Sequence, residues 1–230
     1  MWDISKAELA RYIDQTNLKP EATEAEIKEF VLQARDYAFK TVALMTSWVP
    51  LATRLLEGSQ TSIVSSVGFP LGTYSTRSKV FETRWAIEHG LPDIEIDMVM
   101  NISLFKSGCF QQVEEDIKAV VEAAEGHTVK VIIEVPLLSE EEIINACLIA
   151  DRAGVDFIKT STGFRAYPKM RPSTSGDVRL IRSVVDERVK IKIAGGVFSL
   201  ESALDAIDAG AHRIGTIAGI PIVEALDKLT

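Results

Sequence analysis

Eight strand-like segments alternate with eight helix-like segments along the 230-residue chain, and this alternation predicts an α/β fold, a (β/α)8 TIM barrel with a short N-terminal helix. Two further observations agree with this fold. Hydrophobic residues make up 47% of the chain, which is enough for one well-buried core. No linker rich in proline and serine interrupts the alternation. We therefore expect residues 1–230 to form a single barrel domain.

The individual elements follow from apolar periodicity, which repeats every 3.6 residues in a helix and every second residue in a strand. After an opening helix over 4–12, strands are expected over 13–16, 41–45, 61–67, 94–99, 129–135, 155–160, 189–194 and 212–216. Helices are expected over 22–37, 49–57, 77–89, 112–124, 139–153, 175–185, 200–209 and from 221 onward, the first of them with a Thr23-Glu-Ala-Glu26 capping pattern. The alternative is a doubly wound open sheet. Such sheets usually carry a glycine-rich turn after the first strand, and residues 15–20 contain no glycine.

Charge and cysteine content argue against several classes of protein. The net charge of −8 argues against binding to nucleic acid or to an anionic membrane, although a local basic pocket for a small anion is compatible with it. The two cysteines, Cys109 and Cys147, form no CxxC motif, and His89, His127 and His212 lie far apart, so neither a metal site nor a disulfide framework is predicted. The sequence shows no cationic and apolar leader and no apolar run of about 18 residues, so we expect a cytoplasmic protein.

Two lysines stand near the ends of apolar strands, where a buried ammonium group is costly. Lys159 ends one predicted strand, and Lys192 lies near the end of the next. Because side chains two residues apart share a face of a strand, Lys192 and Asp97 are expected to point into the barrel near its C-terminal end, where barrel enzymes place their sites. By the same alternation, Lys190 and Glu95 point inward at a deeper level.

This pair of lysines suggests Schiff-base chemistry, in which a neutral amine attacks a carbonyl and the resulting iminium acts as an electron sink. A free lysine has a pKa of about 10.4, so a neighbouring ammonium group and burial would be needed to make Lys159 reactive. Asp97 would then relay protons. The alternative is a structural ion pair among Asp97, Lys159 and Lys192 at the mouth of the barrel.

Glycines follow both of the last two strands, at Gly195-Gly196 and in Gly215-Thr-Ile-Ala-Gly219. In barrels, these turns often hold a phosphate on backbone N–H groups and a helix N-terminus. Glycine also serves tight turns for conformational reasons alone, so the pair of turns indicates a phosphate site without excluding that simpler role.

Taken together, these segments resemble the deoxyribose-phosphate aldolase family of class I aldolases, over almost the whole chain. The motifs that carry the resemblance are Gly68-Phe-Pro-Leu-Gly72, Glu95-Ile-Asp-Met-Val99, Val113-Glu-Glu-Asp-Ile117, Lys159-Thr-Ser-Thr-Gly-Phe164 and Lys192-Ile-Ala-Gly-Gly196. The resemblance implies that Lys159 forms the Schiff base, that Lys192 lowers its pKa, and that Asp97 relays protons with ordered water. It implies reversible cleavage of 2-deoxyribose 5-phosphate to glyceraldehyde 3-phosphate and acetaldehyde, without metal or organic cofactor.

The resemblance also implies a set of residues near the substrate and its phosphate. Asp14 and Thr16 match positions that the family places there, in a motif that usually reads Asp-His-Thr, although Asp14 would also suit a loop residue with only local hydrogen bonds. The remaining expected contacts are Thr160, Gly163, Gly195, Gly196, Gly215, Ile217 and Ala218. Barrels of this kind often pair through their outer helices, so the expected assembly is a homodimer or a homotetramer.

The chain departs from the family pattern at three places. Ala43-Leu-Met-Thr46 replaces the frequent Cys-Val-Asn-Pro, Phe198 stands where some members carry arginine, and Ile217-Ala218 replaces two hydroxyl residues of the phosphate loop. Backbone N–H groups of Gly195, Gly196, Ile217 and Ala218 would still suit a phosphate. An aldolase acting on a different aldehyde acceptor, or a non-catalytic barrel that binds a sugar phosphate, therefore stays open as an alternative.

A long loop after Phe164 offers a second set of anion ligands. It carries Arg165, Lys169 and Arg171, whose charges would suit a phosphate or a carboxylate. Solvated loop charges are the more common case. The resemblance implies a reversible reaction, which would serve nucleotide catabolism in one direction and synthesis in the other.

Overall fold

The computed structural model of the protein describes residues 4–164 and 170–227, and its centre is a closed barrel of eight parallel strands. Each strand pairs with the next along the chain, and the last pairs with the first. The strands are β1 (Ile13–Asn17), β2 (Thr41–Met45), β3 (Ser62–Val67), β4 (Glu95–Val99), β5 (Val129–Ile132), β6 (Phe157–Lys159), β7 (Lys190–Ala194) and β8 (Arg213–Thr216). The predicted (β/α)8 TIM barrel is confirmed, and the open sheet is not found.

Helices surround the barrel and connect its strands. Those in the described part of the chain are α1 (Lys6–Ala10), α2 (Glu24–Asp36), α3 (Val49–Leu56), α4 (Thr76–His89), α5 (Ile102–Lys106), α6 (Phe110–Ala123), α7 (Glu140–Arg152), α8 (Ser175–Arg182), α9 (Leu200–Asp208) and α10 (Gly219–Leu226). The predicted capping box of α2 is present, since Thr23 accepts from the Glu26 backbone and Glu26 accepts from the Thr23 backbone. None of the described helices is both long and apolar enough to cross a membrane.

Two loops differ from the sequence-based expectation. The strand expected over 129–135 ends at Ile132, because Glu134 adopts a left-handed backbone (φ 58°) and a 3-10 turn, Val135–Leu137, follows it. The short helix α5 was not predicted. It has only five residues and is capped by the Asn101 side chain, so it is too short to show an apolar period.

Apolar side chains fill the space between the barrel and its helices. Val42, Leu44, Ile63 and Ile96, for example, are fully buried in one large cluster. Each such side chain contributes about 1.5–3 kcal/mol relative to exposure. Because this layer holds the barrel together, the inward face of the strands is free to carry polar groups.

A small apolar cluster is separate from the main core. Phe69, Val99 and Ile132 form it near the C-terminal ends of the strands, with Leu18 and Met45 packed against it. Several charged side chains are also buried inside the barrel, and they form the site described next.

Candidate active site

Three residues predicted from the sequence meet inside the barrel. The Nζ atoms of Lys159 and Lys192 lie 2.8 and 2.9 Å from the same atom, Oδ2 of Asp97. Lys159 is 2% exposed, and the other two are fully buried. Lys159 and Lys192 are paired across β6 and β7, and Asp97 reaches them from β4 because all three side chains point inward.

A second group of charges surrounds this triad and was only partly predicted. Lys192 also contacts Asp14 at 2.6 Å, and Arg213 joins Asp14 to Glu95 at 2.7 and 2.8 Å. Asp14 is therefore a member of β1 with distant partners, rather than a loop residue with local hydrogen bonds. Sequence reasoning did not single out Arg213 as a member of this group.

Lys130 completes the group and was also missed. It is fully buried, and its Nζ lies 2.5 Å from Glu95 and 3.1 Å from Asp97. Lys130 carries the same signal as Lys192, a lysine between β-branched residues of a strand. Lys190, predicted to point inward at a deeper level, has its Nζ 5.8 Å from the centroid of the Phe157 ring, which Lys130 and Arg213 also approach. It faces the same ring as those two residues, as the alternation predicts, but it is exposed at the start of β7 rather than buried.

Burial and neighbouring charges set the protonation of the two central groups. Burial lowers the pKa of Lys159 and the ammonium group of Lys192 lowers it further, against the opposing effect of Asp97, so that it falls to about 8. Burial alone would raise the pKa of Asp97, but the ammonium groups of Lys130, Lys159 and Lys192 hold it well below its usual range. Asp97 is thus ionised at neutral pH while a fraction of Lys159 is a neutral amine.

The outer groups keep their charges. Burial would raise the pKa of Asp14, yet Lys192 and Arg213 lower it below its usual range. Burial would lower the pKa of Lys130, yet the carboxylates of Asp97 and Glu95 raise it above its usual range. Because these groups stay ionised, Lys159 is the member of the group that can gain or lose a proton near neutral pH.

The total charge of the group favours a neutral Lys159. Its seven members comprise three carboxylates and four cations, namely Asp14, Glu95 and Asp97 against Lys130, Lys159, Lys192 and Arg213. When Lys159 is an amine, three negative charges face three positive charges. An uncompensated charge in a buried site is costly, so the balance itself promotes loss of the Lys159 proton.

A cavity of about 510 Å³ opens above this group at the C-terminal ends of the strands. Of the seven charged residues, only Lys159 lines it. Five of the predicted binding residues also line it, which are Thr16, Gly163, Gly195, Gly215 and Ile217. The floor of the cavity therefore carries an amine of lowered pKa, and the six other charged residues of the group lie behind it without lining the cavity.

The far wall of the cavity is largely apolar. Phe198 and Ile217 line it and are 51% and 64% exposed, and Leu18, Phe69 and Phe164 lie on the same cavity. Lys19 and Glu21 supply the charged side chains of this wall among the described residues. Phe198 and Ile217, two of the positions at which the chain departs from the family pattern, thus face the space that a substrate would occupy.

The four backbone N–H groups predicted to hold a phosphate are not equivalent. Among the described residues, no oxygen accepts a hydrogen bond from the N–H of Gly195, Gly196 or Ile217, whereas the N–H of Ala218 donates to Thr216 Oγ1 at 3.0 Å. Gly196 and Ala218 do not line the cavity. Gly196 is required by close packing, since a Cβ there would lie 2.1 Å from the Ser173 carbonyl oxygen.

Other predicted binding residues are occupied by contacts within the fold. Thr160 Oγ1 bridges the backbone N–H and C=O of Ala194, at 3.0 and 3.1 Å, and does not line the cavity. Thr16 lines the cavity while its Oγ1 donates to the Asp14 carbonyl at 2.9 Å. Thr160 thus joins β6 to β7, and of these two threonines only Thr16 lines the cavity.

Of the three charged residues predicted in the loop after Phe164, the structure describes Arg171. Arg171 forms two hydrogen bonds to the Asp177 carboxylate, at 2.8 and 2.7 Å, next to the N-terminus of α8. It is therefore bound within the fold. Arg165 and Lys169 lie outside the described residues. Within those residues, no set of three or more His, Cys, Asp and Glu side chains is arranged to hold a metal ion.

Comparison with known proteins agrees with this geometry. The chain is 43% identical over 227 residues to a deoxyribose-phosphate aldolase of Carboxydothermus hydrogenoformans, covering 97% of each chain. It is 48% identical over 218 residues to that of Streptococcus mutans, covering 93% of this chain and 94% of the other. A solved tetrameric structure of deoxyribose phosphate aldolase from Aeropyrum pernix has a TM-score of 0.88 and 30% identity, covering 98% of this chain and 94% of that one.

The family model for DeoC/LacD family aldolases matches residues 9–224, which takes in all eight strands and every member of the charged group. The family match over nearly the whole chain agrees with the barrel and its cavity-facing lysine of lowered pKa, and with relatives at 43% and 48% identity. This protein is a member of the DeoC/LacD family of aldolases.

Proposed function

We propose that the protein is a class I aldolase that cleaves 2-deoxy-D-ribose 5-phosphate reversibly to D-glyceraldehyde 3-phosphate and acetaldehyde, through a Schiff base on Lys159. The observation that carries this proposal is that Lys159 alone joins the cavity to the buried charges. The names of the relatives support the substrate. Lys159, Lys192 and Asp97 are the proposed catalytic group.

The reaction begins with addition of the neutral Lys159 amine to C1 of the open-chain sugar. The adduct loses water to give an iminium ion. Asp97, 2.8 Å from Lys159 Nζ, is placed to accept the proton that leaves the nitrogen and to return it to the departing hydroxyl, directly or through water. Lys192 does not touch the substrate, and its role is to keep the amine unprotonated.

Carbon–carbon cleavage follows from the iminium. The C3 hydroxyl loses its proton, the C2–C3 bond breaks, and its electron pair moves to C2 as the iminium becomes an enamine. C3 leaves as the aldehyde carbon of glyceraldehyde 3-phosphate. Protonation of the enamine at C2 and addition of water then release acetaldehyde and the free amine. Electrons and protons balance without an external oxidant or metal, so activity should survive dialysis against a chelator.

The phosphate is proposed to lie at the turns after β7 and β8. Gly195 and Ile217 line the cavity and have N–H groups with no acceptor among the described residues, which supports this position, since unpaired amides in glycine turns bind anions. The N–H of the neighbouring Gly196 likewise has no acceptor there, although Gly196 does not line the cavity. Gly163, Gly215 and Thr16 line the path between these amides and Lys159. Asp14 and Thr160 act behind the cavity wall, through Lys192 and Ala194.

Borohydride trapping tests the nucleophile. Incubation with deoxyribose 5-phosphate and borohydride should add a stable mass to the peptide that contains Lys159, because the reagent reduces the iminium. Lys159→Ala should abolish the adduct, and Lys190→Ala, at an exposed lysine outside the charged group, should not. Trapping that is unchanged in Lys159→Ala would refute the proposal.

A second candidate function is aldol chemistry on an unphosphorylated aldehyde. Phe198 and Ile217, both exposed to the cavity, favour it because an apolar wall suits an uncharged acceptor. Comparing kcat/KM for deoxyribose 5-phosphate and deoxyribose separates the two. A strong requirement for phosphate would count against this second candidate.

The assembly and location belong to the same proposal. We propose a homodimer or a homotetramer in the cytoplasm, with the tetrameric relative from Aeropyrum pernix as support for a multimer. Light scattering coupled to size exclusion tests this assembly. A mass that matches one 25.3-kDa chain at micromolar concentration would contradict it.

A further inference from the structure

Glu134 lies directly after the shortened strand β5, in a backbone conformation that is unfavourable for a residue with a Cβ. Its φ and ψ angles are 58° and 59°, and its side chain is buried. Such angles are uncommon for a non-glycine residue and cost free energy, so contacts of a buried residue that adopts them must compensate. A buried carboxylate also needs partners. Both features indicate that this side chain is held in place for a purpose beyond packing.

The partners of the carboxylate are all in the turn that follows Lys159. Ser161 Oγ donates to Glu134 Oε1 at 2.5 Å, and the backbone N–H of Thr162 donates to both carboxylate oxygens at 3.3 and 3.2 Å. Among the described residues no lysine or arginine forms an ion pair with it. Glu134 and Lys106 line one surface cavity, separate from the active-site cavity, but Lys106 is paired with Glu142. The carboxylate therefore acts through hydrogen bonds to one turn.

That turn forms the wall of the active-site cavity beside the nucleophile. Ser161 Oγ accepts from the N–H of Gly163 at 3.0 Å, and Thr162 and Gly163 line the cavity. Ser161 also packs against the opposite turn, because a Cβ on Gly195 would lie 3.0 Å from its Oγ. Glu134 thus fixes one turn of the cavity wall, and this turn packs against the neighbouring turn at Gly195, which lines the same cavity.

Lys159 itself is held by separate contacts. The N–H groups of Ile133 and Val135 donate to the carbonyls of Lys159 and Thr160 at 3.1 and 2.8 Å, and these are backbone bonds. Loss of the Glu134 side chain therefore leaves the strand that carries the amine in register. It releases only the turn of residues 161–163.

We infer that Glu134 is a positioning residue, which holds the Ser161–Thr162–Gly163 turn against Gly195 and so sets the width of the cavity for the substrate next to Lys159. The inference rests on the proposed function for its consequence in catalysis. Displacement of a binding wall by about 1 Å is enough to cost on the order of a hundredfold in rate. Such a residue affects substrate binding without touching the substrate.

The chain offers matched variants for a test. Glu134→Gly removes the carboxylate while glycine adopts the left-handed backbone without strain. Glu134→Gln retains Oε1, the atom that both Ser161 and Thr162 contact. Glu125→Gly is the control, because Glu125 is an exposed glutamate with a similar φ of 49°. The thermal midpoint of all three variants should stay close to that of the wild type.

Kinetics and hydrogen exchange together decide the inference. Glu134→Gly should raise KM for deoxyribose 5-phosphate by about tenfold or more, whereas Glu134→Gln and Glu125→Gly should stay within about twofold of the wild type. The pH dependence of borohydride trapping at Lys159 should be the same in the wild type and in all three variants. The pKa of Lys159 is shifted by its burial and by the charges of Asp97, Lys192 and Lys130, which the substitutions leave in place. A merely structural role would not give this separation of KM from the pH profile.

Hydrogen exchange measures the stability of the turn of residues 161–163 in the absence of substrate. The amide of Thr162 should exchange at least about tenfold faster in Glu134→Gly than in Glu125→Gly, because its acceptor is gone. Unchanged exchange, or an unchanged KM, would overturn the inference. Faster exchange in a protein whose wild type shows no trapping at Lys159 would uphold the role of Glu134 in the turn and refute the proposed function instead.

Discussion

Replacing Lys192 by leucine should move the pH at which Lys159 becomes reactive upward by about two units. The ammonium groups of both lysines contact the same oxygen of Asp97, at 2.8 and 2.9 Å, so they lie within about 6 Å of each other. At an effective dielectric constant of about 20, two unit charges at that separation repel by about 3 kcal/mol, which is about two pKa units. The pKa of Lys159, about 8 in the native protein, should therefore approach about 10.

The sign follows from the reactive species. The nucleophile is the amine, so the rate of imine formation rises with pH through the pKa of Lys159. At pH 7 about one Lys159 in ten is neutral in the wild type, and about one in a thousand would be neutral in Lys192→Leu. We expect borohydride trapping at pH 7 to slow by about a hundredfold, and to recover near pH 10.

The assay is trapping rate and kcat/KM between pH 6 and pH 10. Asp14 and Asp97 keep Arg213, Lys130 and Lys159 as partners in the variant, so the fold should persist, which circular dichroism checks. Lys190→Leu is the control, because it removes an exposed lysine from the same strand. A folded Lys192→Leu protein whose rate still rises near pH 8 would refute the electrostatic role of Lys192.

Three further predictions address stability and specificity. Asp97→Asn should lower the free energy of unfolding at pH 7 by about 3–5 kcal/mol, because it takes the carboxylate partner from Lys159 and one of two carboxylate partners from Lys130 and Lys192. Since the folded pKa of Asp97 is lowered, this contribution is present above about pH 4 and is lost as pH falls further, so urea titrations of the two proteins should converge in acid. Lys79→Met should lower the free energy of unfolding by about 3–5 kcal/mol, because it leaves the buried carboxylate of Asp116 without its ion-pair partner. Adding Asp116→Leu should restore most of that free energy, and urea unfolding that shows no restoration would contradict the buried-pair explanation. Phe198→Arg should lower KM for deoxyribose 5-phosphate by about tenfold and leave deoxyribose unaffected, and an equal effect on both substrates would argue against a phosphate at this wall.

The sequence predicts those site residues whose position depends on the alternation of inward and outward side chains along a single strand. Lys192 and Asp97 were placed correctly because each lies an even number of residues from other inward positions of its own strand. Alternation predicts which face of a strand a side chain occupies but not how deeply it is buried, as Lys130 and Lys190 show. Both are Cα partners of Phe157 in the barrel and both follow a buried valine, yet Lys130 is fully buried and Lys190 is exposed.

The difference depends on the tilt and stagger of strands in the closed barrel, which no single segment encodes. Loop geometry was hidden for a related reason. Glu134 resembles the continuation of a strand in the sequence, and only its contacts with Ser161 and Thr162, 27 and 28 residues away, turn it into a left-handed residue. Long-range pairing of this kind overrides local propensity.

The apolar wall at Phe198 and Ile217 has an evolutionary consequence. These side chains stand on loops with half or more of their surface exposed. The lysines, the carboxylates and Arg213, in contrast, are part of the barrel's interior and bind one another across six strands. A substitution on the rim changes what the enzyme admits at little expense in folding, while one inside changes mechanism and stability at once. The architecture thus lets substrate range diverge among descendants of one ancestor while the lysine chemistry is inherited unchanged.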